Sequence, residues 1–152
     1  MTDQCRRGPV PPVFFLAALL LMAALHRALP LATVFVPPWS YPGAVLLVAG
    51  LVVTIVSANA FARAGTAIRP FEESSVLVVS GCYRFTRNPM YLGMLLVLLG
   101  VAVLLGSATP FLVPLLFAWL IQQRFIRHEE AMLEERFGDE YRAFRARVRR
   151  WL

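Results

Sequence analysis

Two short clusters of polar residues stand out in a chain that is otherwise mostly apolar, and both contain residues able to bind a charged ligand. The first cluster centres on Arg87 and Asn88, directly before Pro89. Proline is favoured at the first position of a helix, so Asn88 is predicted to cap a helix that begins there. The free N–H groups of a helix start attract anions, and a neighbouring arginine adds positive charge. This cluster therefore predicts an anion-binding turn.

The second cluster is an acidic pair, Glu129 and Glu130, which follows an apolar run. Two carboxylates among arginines suit a positively charged or hydroxyl-bearing ligand. A solvated helix start accommodates such a pair as well, and a capped helix flanked by arginines that extend into water explains the first cluster. On spacing alone, these simpler interpretations stay open.

The elements that must position both clusters are membrane helices. The 152 residues are 59% hydrophobic, well above the share in soluble domains, so a bilayer is the predicted environment. Four apolar runs, at 13–29, 43–61, 90–105 and 109–126, predict an all-α fold with about four transmembrane helices. Only residues 106–108 separate the last two runs, which predicts a tight helical hairpin.

The segment after the fourth run predicts cytoplasmic amphipathic helices. Gly138 and Asp139 are typical of a helix end followed by a new helix start. Arginines follow on one face, and apolar residues recur at helical spacing on another, namely Tyr141, Phe144, Val148 and Trp151. A basic amphipathic helix of this kind also suits the membrane surface.

The distribution of arginine predicts the orientation. All 15 basic residues are arginine, and the loops at 30–42 and 106–108 contain none. Both termini and the loop between the second and third runs are therefore predicted to be cytoplasmic, and the expected location is a bacterial inner membrane. The net charge of +6 comes from residues between and after the apolar runs, as expected for loops that face an anionic leaflet rather than nucleic acid.

Other classes of protein receive less support from the residues. The middle of each apolar run has no Asp, Glu, Lys or Arg, and ion-coupled transporters generally need one there. The two cysteines, Cys5 and Cys82, match no metal-binding or redox spacing, so no metal is expected. A non-catalytic membrane scaffold whose basic tail binds lipid stays open as an alternative.

Taken in order, these strings resemble the membrane methyltransferase family that includes isoprenylcysteine carboxyl methyltransferases and phospholipid methyltransferases. The resemblance covers residues 66–152. It is carried by Gly81-Cys82-Tyr83-Arg84, then Arg87-Asn88-Pro89-Met90-Tyr91-Leu92-Gly93, then the hairpin, then Glu129-Glu130, Leu133, Phe137-Gly138, Tyr141 and the arginine-rich end. Two positions depart from the family pattern. Asn88 stands where many relatives have histidine, and Cys82 stands where proline or a small residue is common.

The resemblance implies transfer of a methyl group from S-adenosylmethionine to a lipophilic or small acceptor at the cytoplasmic membrane face. It leaves the acceptor open, and with it the choice among O-, N- and S-methylation. The positions that match the family's cofactor contacts are Tyr83, Arg87, Asn88, Pro89, Tyr91, Gly93, Glu129 and Glu130.

The loop between the second and third runs supplies three candidates for the acceptor side. Glu72 and Glu73 are catalytic candidates because a protonated amine acceptor needs a base. Arg69 is a candidate anchor for an anionic acceptor. The chain is expected to form a single membrane domain. Residues 1–62 would hold two helices, and residues 63–152 would hold the cofactor-binding loop, the hairpin and the C-terminal helices.

Overall fold

The computed structural model describes residues 10–64 and 76–152, and the regular structure in these ranges is helical. The predicted all-α fold class is confirmed. A π-helical turn joins the fourth and fifth α-helices without a break. One 3₁₀ turn precedes the third α-helix and another precedes the fourth. In chain order the elements are α1 (Pro11–Ala28), α2 (Pro42–Arg63), a 3₁₀ turn (Gly81–Arg84), α3 (Pro89–Leu105), a 3₁₀ turn (Thr109–Phe111), α4 (Leu112–Ile121), the π-turn (Gln122–Ile126) and α5 (Arg127–Arg147).

Three helical stretches are long and apolar enough to cross a membrane, namely α1, α2 and the continuous stretch Thr109–Arg147. The 17 residues of α3 rise about 26 Å, slightly less than the roughly 30 Å of a hydrocarbon core. The helices expose large apolar side chains, as a lipid environment requires. Among them are Leu16, Leu20, Val45, Val48, Val52, Ile55, Leu115 and Trp119. The protein is an integral membrane protein with three to four spanning helices.

Helices α2 and α3 pack backbone to backbone through glycines. Gly43 faces Gly100 and Gly50 faces Gly93, so the two helices run antiparallel. A Cβ atom added at Gly50 would lie 2.5 Å from the carbonyl oxygen of Gly93, and one added at Gly100 would lie 2.6 Å from that of Gly43. Small residues permit this close approach, which membrane helices use because lipid supplies no hydrophobic drive to associate. The approach fixes the start of α3 beside the end of α2.

The turn between α3 and α4 forms the predicted hairpin and is tied to α1. Gly106 ends α3 with a left-handed φ of 74°, a conformation that glycine adopts without penalty. Its carbonyl accepts the N–H of Val34 at 2.7 Å. The hydroxyl of Thr109 donates to the Leu29 carbonyl at 2.7 Å, and Ser107 Oγ lies 2.7 Å from His26 Nδ1. These bonds satisfy polar groups at the end of the bundle remote from Arg87 and Glu130.

Helix α5 folds back at Gly138, where the backbone takes φ 50° and ψ −118°, so the predicted helix stop is confirmed. Beyond the kink, Tyr141 and Phe144 are buried against Tyr83 in a second apolar cluster, separate from the core among the membrane helices. The apolar face of this segment therefore packs on the protein. The helix ends at Arg147, so the prediction that Trp151 continues its apolar face is wrong.

Candidate functional site

The two polar clusters meet between the start of α3 and the start of α5. Glu130 accepts from two arginines of different segments. Its Oε1 lies 3.1 Å from Arg87 Nη1, and its two oxygens lie 3.0 and 2.6 Å from Arg150 Nε and Nη2. The side chains of Arg87 and Glu130 are only 9% and 10% exposed. Charge-assisted bonds of this kind are strong and directional, so Glu130 fixes both guanidinium groups.

The neighbouring carboxylate has a different environment. The hydroxyl of Tyr91 donates to Glu129 Oε1 at 2.6 Å, and within the two described ranges no arginine pairs with Glu129. Tyr83 lies close enough for Glu129 to influence its ionisation. Burial first, and then the Glu129 charge, raises the pKa of Tyr83 above its usual range. Glu129 is thus a partly buried carboxylate held by the hydroxyl of Tyr91, available to a cationic or hydroxyl-bearing ligand.

The π-turn Gln122–Ile126 places this acidic pair. A π-turn holds one more residue than an α-helical turn, and this shifts the side chains that follow by about 100° around the helix. Glu129 therefore turns towards Tyr91 on α3, and Glu130 turns towards Arg87. Such local bulges are frequent at functional sites.

Asn88 occupies the cap position before Pro89, but its side chain makes no capping hydrogen bond. The capping part of the prediction is therefore wrong. Asn88 Nδ2 instead donates to the carbonyl oxygen of Arg150 at 3.0 Å. The Thr86 hydroxyl donates to the same oxygen at 3.1 Å. The amide side chain favours this bond because the Arg150 carbonyl lies outside a helix and receives no backbone N–H from the described residues.

The remaining candidates fall in three places. Gly93 lies against α2 near Thr54 and contributes to helix packing. Pro89 is fully buried at the first position of α3. The acceptor-side candidates Arg69, Glu72 and Glu73 lie outside the described residues.

One donor in the site has no partner. Arg87 Nε is buried and has no hydrogen-bond acceptor among the described residues. A buried N–H left in this state is costly, and native proteins rarely keep one without a functional reason. Within the part of the chain that the structure describes, the site therefore presents an unsatisfied cationic donor and, close by, a carboxylate without a cation. Together they are suited to a ligand that carries both signs of charge.

Comparison with known proteins identifies the family. The family model described as phospholipid methyltransferase matches residues 39–140, a range that includes α2, α3 and both polar clusters. The chain belongs to the phospholipid methyltransferase family. It is a membrane methyltransferase, and the resemblance noted from its sequence is confirmed.

The chain is similar in sequence to proteins of a bacterium, fission yeast and rice. An uncharacterized protein of Haemophilus influenzae is 46% identical over 63 residues, 41% of this chain and the whole of that protein. A protein-S-isoprenylcysteine O-methyltransferase of Schizosaccharomyces pombe is 37% identical over 73 residues, 48% of this chain and 31% of the relative. A probable protein-S-isoprenylcysteine O-methyltransferase of Oryza sativa subsp. indica is 29% identical over 111 residues, 72% of this chain.

The chain spans about a third of the fission yeast enzyme, 31%, and 58% of the rice protein. No solved structure gives a significant match.

Sequence reasoning missed Arg150. It is one of five arginines between Arg142 and Arg150, and the helical spacing placed Arg142, Arg145 and Arg149 on one face without giving Arg150 a role. Only the end of the helix at Arg147 turns the following residues back to the site. The hydrogen bonds that Arg150 donates to Glu130 raise the pKa of its guanidinium above its usual value. No local sequence signal distinguishes Arg150 from Arg149.

Proposed function

We propose that this membrane methyltransferase uses S-adenosylmethionine as its methyl donor, bound between the start of α3 and the start of α5. The observation that carries the proposal is that, among the described residues, Arg87 Nε has no acceptor and the neighbouring carboxylate of Glu129 has no cation. The methionine part of the donor has a carboxylate and an ammonium group. Its carboxylate is opposite in charge to Arg87, and its ammonium group is opposite in charge to Glu129.

Each proposed contact follows from the charge and burial of the side chain. Arg87 donates Nε–H to the donor's carboxylate, since Glu130 already engages its Nη1. Glu129 accepts from the ammonium group or from ribose hydroxyls, and Tyr91 holds it in position. Tyr83 lines the same space in its neutral form. Glu130 acts on the ligand through the arginines, because both of its oxygens are already occupied.

The protein's part in the reaction is to bind, align and exclude water. When bound, S-adenosylmethionine would supply an electrophilic methyl group, to which the acceptor's lone pair bonds while the electrons of the carbon–sulfur bond stay on the sulfur. The buried ion pairs hold the site rigid, and this favours in-line alignment of an acceptor with that bond. A carboxylate or thiolate acceptor needs no base, whereas an ammonium acceptor must first lose a proton. Glu72 or Glu73 would take that proton, and Arg69 would anchor an anionic acceptor.

The acceptor is proposed to be lipophilic or small and to enter from the cytoplasmic leaflet of a bacterial inner membrane. Support comes from arginine placement. Arg63, Arg84 and Arg124 lie at the end of the bundle that holds the site, and the opposite loops have none. Phe85 is 78% exposed beside the 3₁₀ turn at this end, as suits a residue at a lipid interface. The proposed unit is a single membrane domain of residues 1–152.

Titration of the detergent-purified protein with S-adenosylhomocysteine, measured by calorimetry, tests the donor assignment. Saturable heat is expected from the wild-type chain. Arg87→Gln should weaken binding by at least tenfold, about 1.4 kcal/mol, because it removes the cationic donor. Arg145→Gln is the matched control, since Arg145 is exposed and its ion-pair partner among the described residues is Glu134. A non-catalytic scaffold would give no saturable heat.

The acceptor requires a second experiment. The protein is incubated with methyl-labelled S-adenosylmethionine and a total lipid extract, and the labelled product is identified. Label in the lipid phase supports a lipophilic acceptor. Label only in water-soluble material would reject lateral entry from the bilayer.

A further inference from the structure

Residues 148–151 cross the start of α3 as a non-helical segment whose carbonyl groups accept hydrogen bonds from the turn before α3. Val148 leaves the helix with φ −120° and ψ 129°. The Arg149 carbonyl then accepts the N–H of Arg87 at 2.9 Å. The Arg150 carbonyl accepts from Asn88 Nδ2 at 3.0 Å and from the Thr86 hydroxyl at 3.1 Å. Three donors from one turn therefore converge on two consecutive carbonyls.

The other side of this segment is attached to the π-turn. The indole N–H of Trp151 donates to Gln122 Oε1 at 2.9 Å. The Trp151 ring packs against the core among the membrane helices, whereas Val148 packs against the second apolar cluster. The segment thus joins both apolar clusters, the turn before α3 and the π-turn, and we call residues 148–151 the strap.

The strap delivers one charged group to the site. With the Arg150 backbone fixed by two donors, its guanidinium reaches both oxygens of Glu130. Glu130 also holds Arg87 at 3.1 Å, so the position of Arg87 depends on the strap. The Asn88 amide is directed to the strap carbonyl, with its side chain buried. The bonds that Asn88 makes act on the site through Arg150.

We propose that Asn88 is a positioning residue, which closes the strap over the start of α3 and thereby sets Arg150 and Arg87 for the ligand. This rests on the proposed function for the identity of the ligand, but strap closure is a property of the protein alone. The sequence resemblance placed Asn88 among the cofactor contacts, whereas its geometry assigns it to the strap.

Trp151 offers a direct reporter of strap closure. Trp39 and Trp119 are 72% and 61% exposed, so both can be changed to Phe, which leaves Trp151 as the single tryptophan. In this background the emission maximum and acrylamide quenching of Trp151 are measured without ligand. Asn88→Ala should shift the emission to the red and raise the quenching constant roughly twofold or more. Loss of one hydrogen bond shifts the equilibrium between the closed and the open strap by roughly fivefold towards the open state.

Three further variants make the test specific. Asn59→Ala is the matched control, because Asn59 is an exposed asparagine of α2 and its loss should leave Trp151 unchanged. Asn88→His restores a ring N–H donor and should return the emission towards that of the parent. Gln122→Met removes the acceptor at the other attachment and should reproduce the red shift, which keeps the proposal testable if Asn88→Ala fails to fold.

Calorimetry with S-adenosylhomocysteine separates this proposal from the proposed function. Asn88→Ala should weaken binding about five- to tenfold together with the opening of the strap, and Asn88→His should recover it. If Asn88→Ala weakens binding but leaves Trp151 fluorescence unchanged, Asn88 contacts the ligand directly and the positioning role is refuted. If the parent binds no S-adenosylhomocysteine, the proposed function fails, while the quenching result still decides whether Asn88 holds the strap.

Discussion

Adjacent glutamates with opposite roles provide the sharpest test of the site. Glu129→Gln and Glu130→Gln make the same isosteric change at consecutive positions, and each replaces a carboxylate by an amide. Glu130 is paired with Arg87 and Arg150, whereas Glu129 accepts one bond from a neutral tyrosine. The two substitutions should therefore separate stability from ligand binding.

The magnitudes follow from burial. Glu130 and Arg87 are 10% and 9% exposed, and removing one partner of a buried ion pair costs about 3–5 kcal/mol because the other charge stays buried. For a chain of this size, that loss corresponds to a fall in Tm on the order of 10 °C. Glu129→Gln keeps an acceptor for Tyr91, so its stability should change by less than about 1 kcal/mol. It removes the charge that we propose faces the ligand, which should weaken binding roughly 10- to 150-fold.

Circular dichroism melting in detergent measures Tm, and calorimetry with S-adenosylhomocysteine at low temperature measures affinity. The expected pattern is a large fall in Tm for Glu130→Gln and a wild-type Tm with weak binding for Glu129→Gln. Equal Tm values for the two variants would refute the division of roles. Wild-type affinity in Glu129→Gln would show that its carboxylate does not face the ligand.

Three further predictions address the scaffold. Gly50→Ala should destabilise the protein by about 1–3 kcal/mol, since its Cβ meets the α3 backbone at 2.5 Å, whereas Ala49→Val, on an exposed face, should have little effect on Tm. Ser107→Ala should cost about 1 kcal/mol by leaving His26 without its partner at 2.7 Å, again read from Tm. Because burial raises the pKa of Tyr83 in the folded state, stability should be full below about pH 10 and fall as pH rises further. Tyr83→Phe should reduce that alkaline loss in a series of melts at increasing pH.

Much of the architecture follows from local sequence patterns. Apolar runs long enough for a bilayer predicted the helices to within a few residues, because backbone groups in lipid must bond within the helix. Gly106 predicted the hairpin turn and Gly138 the kink, since both take backbone conformations that other residues avoid. The ordered motifs from Gly81 to the arginine-rich end were sufficient to suggest the family, which the family model confirms.

The sequence did not predict which helices pack against each other or which side chains pair. The seven-residue glycine spacing in α2 and α3 was visible in each helix, but which helix would face which depends on packing over the whole bundle. Glu129 and Glu130 are the same residue type at consecutive positions, so the sequence does not distinguish their partners. The π-turn directs Glu130 to the arginines and Glu129 to Tyr91.

The sequence by itself determined the membrane setting, the helices and the family, because each depends on composition or short-range backbone preference. Tertiary structure alone decided what Arg150 and Asn88 do. Arg150 is separated from Asn88 by 62 residues, and their contact depends on where α5 bends and ends. Long-range burial of charged groups depends on this placement, so the pairing of Glu130 with two arginines emerges only in the folded chain.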